Sequence, residues 1–123
     1  MTFSEMSVLY VEDEVLIAME VSHILATLGL EKIELAHTLR TAKDVISQQH
    51  FDAAILDVNL GNGERTLSVG RELRQMGTQV VFASGYNKWE LSEDYQSFEF
   101  LEKPISVDDL KVVLEKLRSK IEN

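Results

Sequence analysis

The chain has 123 residues, with 12 Lys and Arg against 21 Asp and Glu for a net charge of −9, and it contains no cysteine. That length suits one domain with a core of its own, and the missing cysteines exclude disulfides and thiolate metal centres. The longest apolar run, Val15 to Met19, falls far short of the about 20 residues that span a bilayer, and an acidic chain is a poor direct partner for nucleic acid.

The first 31 residues hold six acids and no Lys or Arg, so no secretory signal is expected, and the composition reads as a cytoplasmic domain without membrane insertion. Ser7 to Val11 is a short β-rich apolar run, read as strand one. From Val15 the spacing turns helical, through Ile17, Val21, Ile24, Leu25 and Leu28, and Gly29 supplies a stop. Lys32 to Leu35 reads as strand two. Leu39, Ala42, Val45 and Ile46 mark helix two. Ala53 to Leu56 is strand three, followed by a Gly- and Asn-rich turn from Asn59 to Gly63. A weaker helix, interrupted by Gly70, runs from Thr66 to Met76. Gln79 to Ala83 is strand four, Asn87 to Asp94 at best a short helix, and Phe98 to Leu101 strand five. Ser106 caps a last helix, with Asp109 completing an S-x-x-D box and Leu110, Val113, Leu114, Leu117 and Ile121 forming its stripe. The pattern is (βα)5: an α/β, doubly wound, three-layer sandwich around a parallel five-stranded sheet. Met6, Met19 and Met76 read as core fillers, with Met19 at an edge. His23, His37 and His50 lack metal-ligand spacing and read as surface or internally satisfied groups.

Open α/β sheets bind ligands beyond the carboxyl ends of their strands. There the sequence places Glu12 and Asp13 after strand one, Asp57 after strand three, Ser84 after strand four, and Lys103-Pro104 after strand five. Two carboxylates about 5 Å apart repel by about 3 kcal/mol at an effective dielectric of 20, so three gathered acids need a cation. Lys103 offers one positive charge. A hard divalent ion offers two, and oxygen ligands with open water positions suit Mg²⁺. A cation beside acids also recruits a phosphoryl group. Each residue has a plainer use: Glu12, Asp13 and Glu14 before a helix N-terminus, Asp57 in a turn, Lys103-Pro104 at the surface. Their joint placement at successive strand ends favours one shared site.

The segments Val8-Leu-Tyr-Val-Glu-Asp-Glu14, Ala54-Ile-Leu-Asp57, Phe82-Ala-Ser-Gly-Tyr86 and Phe100-Leu-Glu-Lys-Pro104 together resemble the response-regulator receiver domains of two-component systems. The resemblance covers essentially the whole chain, in the family's order and spacing. It implies the flavodoxin-like strand order 2-1-3-4-5. It further implies that Asp57 is the phosphoacceptor, served by a sensor histidine kinase or phosphotransfer protein. Mg²⁺ (or Mn²⁺) would be held by Glu12, Asp13, Asp57 and the Asn59 carbonyl. Lys103 and Ser84 would meet the phosphoryl oxygens, and Phe100 would turn inward as Ser84 moves. Such a chain is a signalling phosphoprotein rather than an enzyme, and its output face would join the segment from Asn87 to Gln96, strand five and the last helix for a downstream protein target. Pro104 would follow a cis peptide.

The run Phe82 to Tyr86 is similar to the Phe-Ala-Thr-Gly-Tyr subgroup of stand-alone regulators, with Ser84 in place of Thr. Phe100 lacks the hydroxyl of the more usual tyrosine, and Tyr86 is placed to shield the phosphoryl group from water, implying slow self-dephosphorylation. The last helix reaches the end of the chain, so residues 1–123 are expected to form a single receiver domain without an output domain. A phosphorylation-independent interaction module is the alternative. A flavodoxin-type cofactor module is disfavoured, because Glu12-Asp13-Glu14 would repel a phosphate. A haloacid-dehalogenase-type phosphatase is disfavoured too, because Asp57-Val-Asn59 lacks the second acid and follows the wrong strand.

Overall fold

A computed structural model describes residues 1–85 and 91–122. Five strands, β1 (Ser7–Val11), β2 (Lys32–Ala36), β3 (Ala53–Asp57), β4 (Gln79–Ser84) and β5 (Glu99–Glu102), form one sheet in the order β2-β1-β3-β4-β5. All four pairings are parallel. Four α-helices are described: α1 (Val15–Thr27), α2 (Leu39–Gln48), α3 (Leu67–Gln75) and α4 (Val107–Glu122).

Side chains alternate across a strand, so a sheet covered on both faces needs apolar residues at every position. Val8, Tyr10, Ala53, Ile55, Val81 and Ala83 pack with Ala18, Val21 and Leu25 of α1 and Leu110, Val113, Leu114 and Leu117 of α4. Leu9, Val11, Ala54, Leu56, Val80 and Phe82 pack on the opposite side with Ala42 of α2 and Val69 and Leu73 of α3. These are the two cores of a three-layer α/β sandwich, and its order agrees with the receiver-like expectation.

Several boundaries differ from the sequence reading. β2, β3 and β4 each run one residue further, so Asp57 and Ser84 are the last rungs of their strands, paired with Ala83 and Glu102. β5 starts one residue later than expected, because the Phe98 amide is committed to Tyr95 O at 3.2 Å in the preceding turn. The short helix expected from Asn87 to Asp94 lies partly outside the described residues. What is described there is a single 3-10 turn, Glu93–Tyr95. Met6 is fully buried, but Met19 and Met76 are 62% and 52% exposed and are not core fillers. The inward face of α1 is already occupied by Ala18, Val21 and Leu25, and Met76 is the C-cap of α3. Ser106 caps α4 as expected, its Oγ accepting the Asp109 amide at 3.1 Å. Among the described residues no helix is long and apolar enough to cross a membrane.

Gly70 weakens a helix by propensity, and its reason is tertiary. A Cβ there would collide with Cζ of Phe82, stand 2.8 Å from its Cε1 and 3.4 Å from Leu56 Cδ1. The ring of Phe82 thus lies against the α3 backbone. On its other sides it meets Phe98, Phe100 and Tyr95, with ring centroids 5.0, 5.6 and 6.2 Å away. Gly70→Ala gains about 1 kcal/mol of helix propensity but overpacks this contact. The expected net result is a loss of about 1–3 kcal/mol in urea unfolding, smaller when Phe82→Leu is made in the same chain.

Candidate functional site

The parallel register brings the carboxyl ends of β1, β3, β4 and β5 to one rim. Glu12 follows β1 and is fully buried. Asp57 ends β3 at 5% exposure, and Ser84 ends β4 at 3%. Lys103 follows β5, and its amide donates to Ser84 O at 2.9 Å, which continues the β4–β5 ladder up to the lysine. From there the ammonium reaches back: Nζ lies 3.0 Å from Asp57 Oδ2 and 3.0 Å from Glu12 Oε1. The peptide between Lys103 and Pro104 is cis.

Glu12, Asp13 and Asp57 each offer a carboxylate oxygen within 4.8 Å of the others. Asp13 is half-buried on the β1–α1 connection. The close approach of Gly61 belongs to the same corner, since a Cβ on Gly61 would stand 3.3 Å from Asp13 Oδ2. Asn59 lies on the exposed loop after β3, bridged to Arg65 in antiparallel fashion. Phe100 is half-buried against Phe82 rather than in the acidic corner. Tyr86, and with it the expected shielding of a phosphoryl group, lies outside the described residues.

The electrostatics follow from burying two acids beside one base. Burial, with Glu12 alongside, pushes the Asp57 carboxyl up to about 7 against the opposing pull of Lys103. Burial works against the Glu12 charge too. The neighbouring Asp57 and the Lys103 ammonium, with the Glu14 amide at 3.3 Å, nonetheless hold it below the usual carboxylate range. The Lys103 ammonium is also disfavoured by burial, yet the same two carboxylates hold it above its ordinary value. Of the two neighbouring acids, Asp57 is thus pushed toward its protonated form and Glu12 is held toward its charged form.

Two supporting groups escaped the sequence reading. Thr66, at 1% exposure, donates its hydroxyl to the Asp57 carbonyl oxygen at 2.8 Å. The His37 ring nitrogen Nδ1 lies 2.9 Å from the Glu12 carbonyl oxygen, so Nδ1–H is the donor. Thr66 carried a sequence signal only as the expected first residue of a helix. Histidine spacing alone gave His37 nothing beyond internal satisfaction.

Does the corner suit a hard divalent cation? Glu12 Oε1 is buried and lacks a directed hydrogen-bond donor despite its ionic contact with Lys103. Among the described residues the donors are all oxygens and outnumber the one ammonium, that of Lys103. Both features fit Mg²⁺.

The family model for the response regulator receiver domain matches residues 8–115. The chain belongs to that family. No curated protein matches it. Among solved structures, SdrG from Sphingomonas melonis Fr1 is 32% identical, with 95% of this chain and 98% of that one covered and a TM-score of 0.79. The BeF3-activated conformation of SdrG, there from Pseudomonas melonis Fr1, is also 32% identical, covering 90% and 94% with a TM-score of 0.77. A CheY-like receiver domain from Methylobacillus flagellatus is 27% identical, covering 91% and 98% with a TM-score of 0.78. Receiver domains are signalling proteins of two-component systems that bind Mg²⁺ at an acidic pocket, and the acidic cluster of this receiver is Glu12, Asp13 and Asp57.

A carboxyl whose folded pKa is raised contributes stability below its unfolded value, 3.8, and that contribution is lost as pH rises through about 7. Metal-free Asp57→Asn should therefore match the parent near pH 4 and exceed it by about 1–3 kcal/mol at pH 8. Thermal unfolding with chelator at both pH values measures this. Mg²⁺ should raise the parent's midpoint at pH 8 and leave the variant's nearly unchanged.

Proposed function

We propose that this receiver is a phosphoacceptor switch in which Asp57 takes a phosphoryl group from a phosphohistidine of a sensor kinase or phosphotransfer protein. The observation that carries the reading is the Lys103 ammonium, 3.0 Å from the Asp57 carboxylate, with Glu12 and Asp13 oxygens close by. The chemistry exchanges one bond for another: an Asp57 carboxylate oxygen bonds to phosphorus, the P–N bond breaks, and the departing imidazole keeps the electron pair and takes a proton. Glu12, Asp13, Asp57 and the Asn59 carbonyl would hold Mg²⁺, which supplies charge neutralisation for the transferring group. Lys103 neutralises a phosphoryl oxygen while staying paired with Glu12. The Ser84 hydroxyl follows the phosphoryl group as a hydrogen-bond donor.

Phosphorylation adds up to about two negative charges, and a charge-assisted bond from Ser84 exists in only one of two arrangements of the β4 end. That difference biases the face built from the segment after Ser84, β5 and α4 toward a downstream protein. Phe100 has no hydroxyl, so its part in the switch rests on packing against Phe82. The 32% identity to SdrG, which has a BeF3-activated conformation, supports an acyl-phosphate mechanism, because that fluoride stands in for a phosphoryl group.

Intact-mass measurement after incubation with a small phosphodonor tests this directly. The parent with Mg²⁺ should gain the mass of one phosphoryl group. The parent with chelator should gain little, and Asp57→Asn nothing. A folded parent that gains no mass with Mg²⁺ would instead be a receiver-like interaction module working without phosphorylation.

A further inference from the structure

His37 stands at the boundary between β2 and α2, where the backbone ladder of the sheet runs out. The β1–β2 register ends at Val11↔Ala36, and one further backbone bond joins Glu12 N–H to Ala36 O at 3.0 Å. Beyond it the chain leaves the sheet: Thr38 is the N-cap of α2, its Oγ1 accepting the Thr41 amide at 3.0 Å. The Glu12 carbonyl therefore looks out past the last rung of β2, and the half-buried imidazole of His37 donates to it at 2.9 Å.

We propose that His37 is a positioning residue for the acidic pocket, orienting the Glu12–Asp13 peptide through the Glu12 carbonyl. The inference rests on reading that pocket as the Mg²⁺ and phosphoryl site. A peptide unit is planar, so holding the carbonyl of Glu12 also fixes the amide of Asp13 and couples the directions in which the two side chains leave the main chain. Those side chains supply two of the three clustered carboxylates. Ala36 of the edge strand holds the preceding Val11–Glu12 peptide through the Glu12 amide, and His37, just past that strand, holds the Glu12–Asp13 peptide before the chain enters α1. His37 itself contributes no atom to the carboxylate cluster. Its effect passes through Glu12 and Asp13, as with the outer partners that orient metal ligands elsewhere.

The test uses three variants. In His37→Asn, Nδ2 lies the same number of bonds from Cα as the imidazole Nδ1 and preserves the donor. His37→Gln carries its donor one bond too far, and His37→Ala removes it. Mg²⁺ titration of the unphosphorylated chain should show His37→Ala and His37→Gln weakened about tenfold, with His37→Asn close to the parent. Amide hydrogen exchange of the metal-free chain is the second readout. Exchange at Glu12, whose amide bonds to Ala36 O, should quicken in His37→Ala and His37→Gln and stay slow in His37→Asn. Equal Mg²⁺ affinity in parent and His37→Ala, or His37→Asn no better than His37→Gln, would overturn the proposal. A parent that binds no Mg²⁺ would sink the pocket reading instead, and the metal-free exchange would still decide the role of His37.

Discussion

The site depends on a single ammonium placed between two buried carboxylates. Among the described residues Lys103 is the cation within reach of Glu12 and Asp57, at 3.0 Å from each, and neither acid is appreciably exposed to water. One positive charge cannot satisfy two buried negative ones, and Asp13 adds a third nearby. In the metal-free molecule the conflict pushes the Asp57 carboxyl up to about 7. A divalent ion would resolve it without a proton. The same imbalance that makes the corner costly to fold makes it receptive to a cation.

The sheet makes that imbalance possible. Parallel pairing sends all five strand ends to one rim, and the central position of β3 puts Asp57 between the β1 acids and the β4–β5 end that carries Ser84 and Lys103. Two cores, one on each face, hold the strands so firmly that the rim has little freedom to relax by spreading.

Much of this was readable from the residues. Continuous apolar runs at Ser7–Val11, Ala53–Leu56 and Gln79–Ala83 signalled strands covered on both faces, and that same feature located their polar ends. Periodicity could not yield the strand order, which is a property of pairings between distant segments. The resemblance supplied it. Asp57 and Ser84 sit one rung earlier than expected because pairing continues as long as a partner strand is present, whatever the side chain. Met19 and Met76 were misassigned for a related reason: an apolar side chain on a helix says nothing of which face its neighbours have already filled. His37 and Thr66 were illegible as site residues, since each acts on a carbonyl oxygen that sequence cannot place.

The wedge of Phe82 beneath Gly70 also bears on movement. Phe82 is hemmed by the α3 backbone on one side and meets three other rings on the rest. Ser84 lies only two residues further along. The tight seat of Phe82 thus anchors β4 two residues short of the hydroxyl at its end.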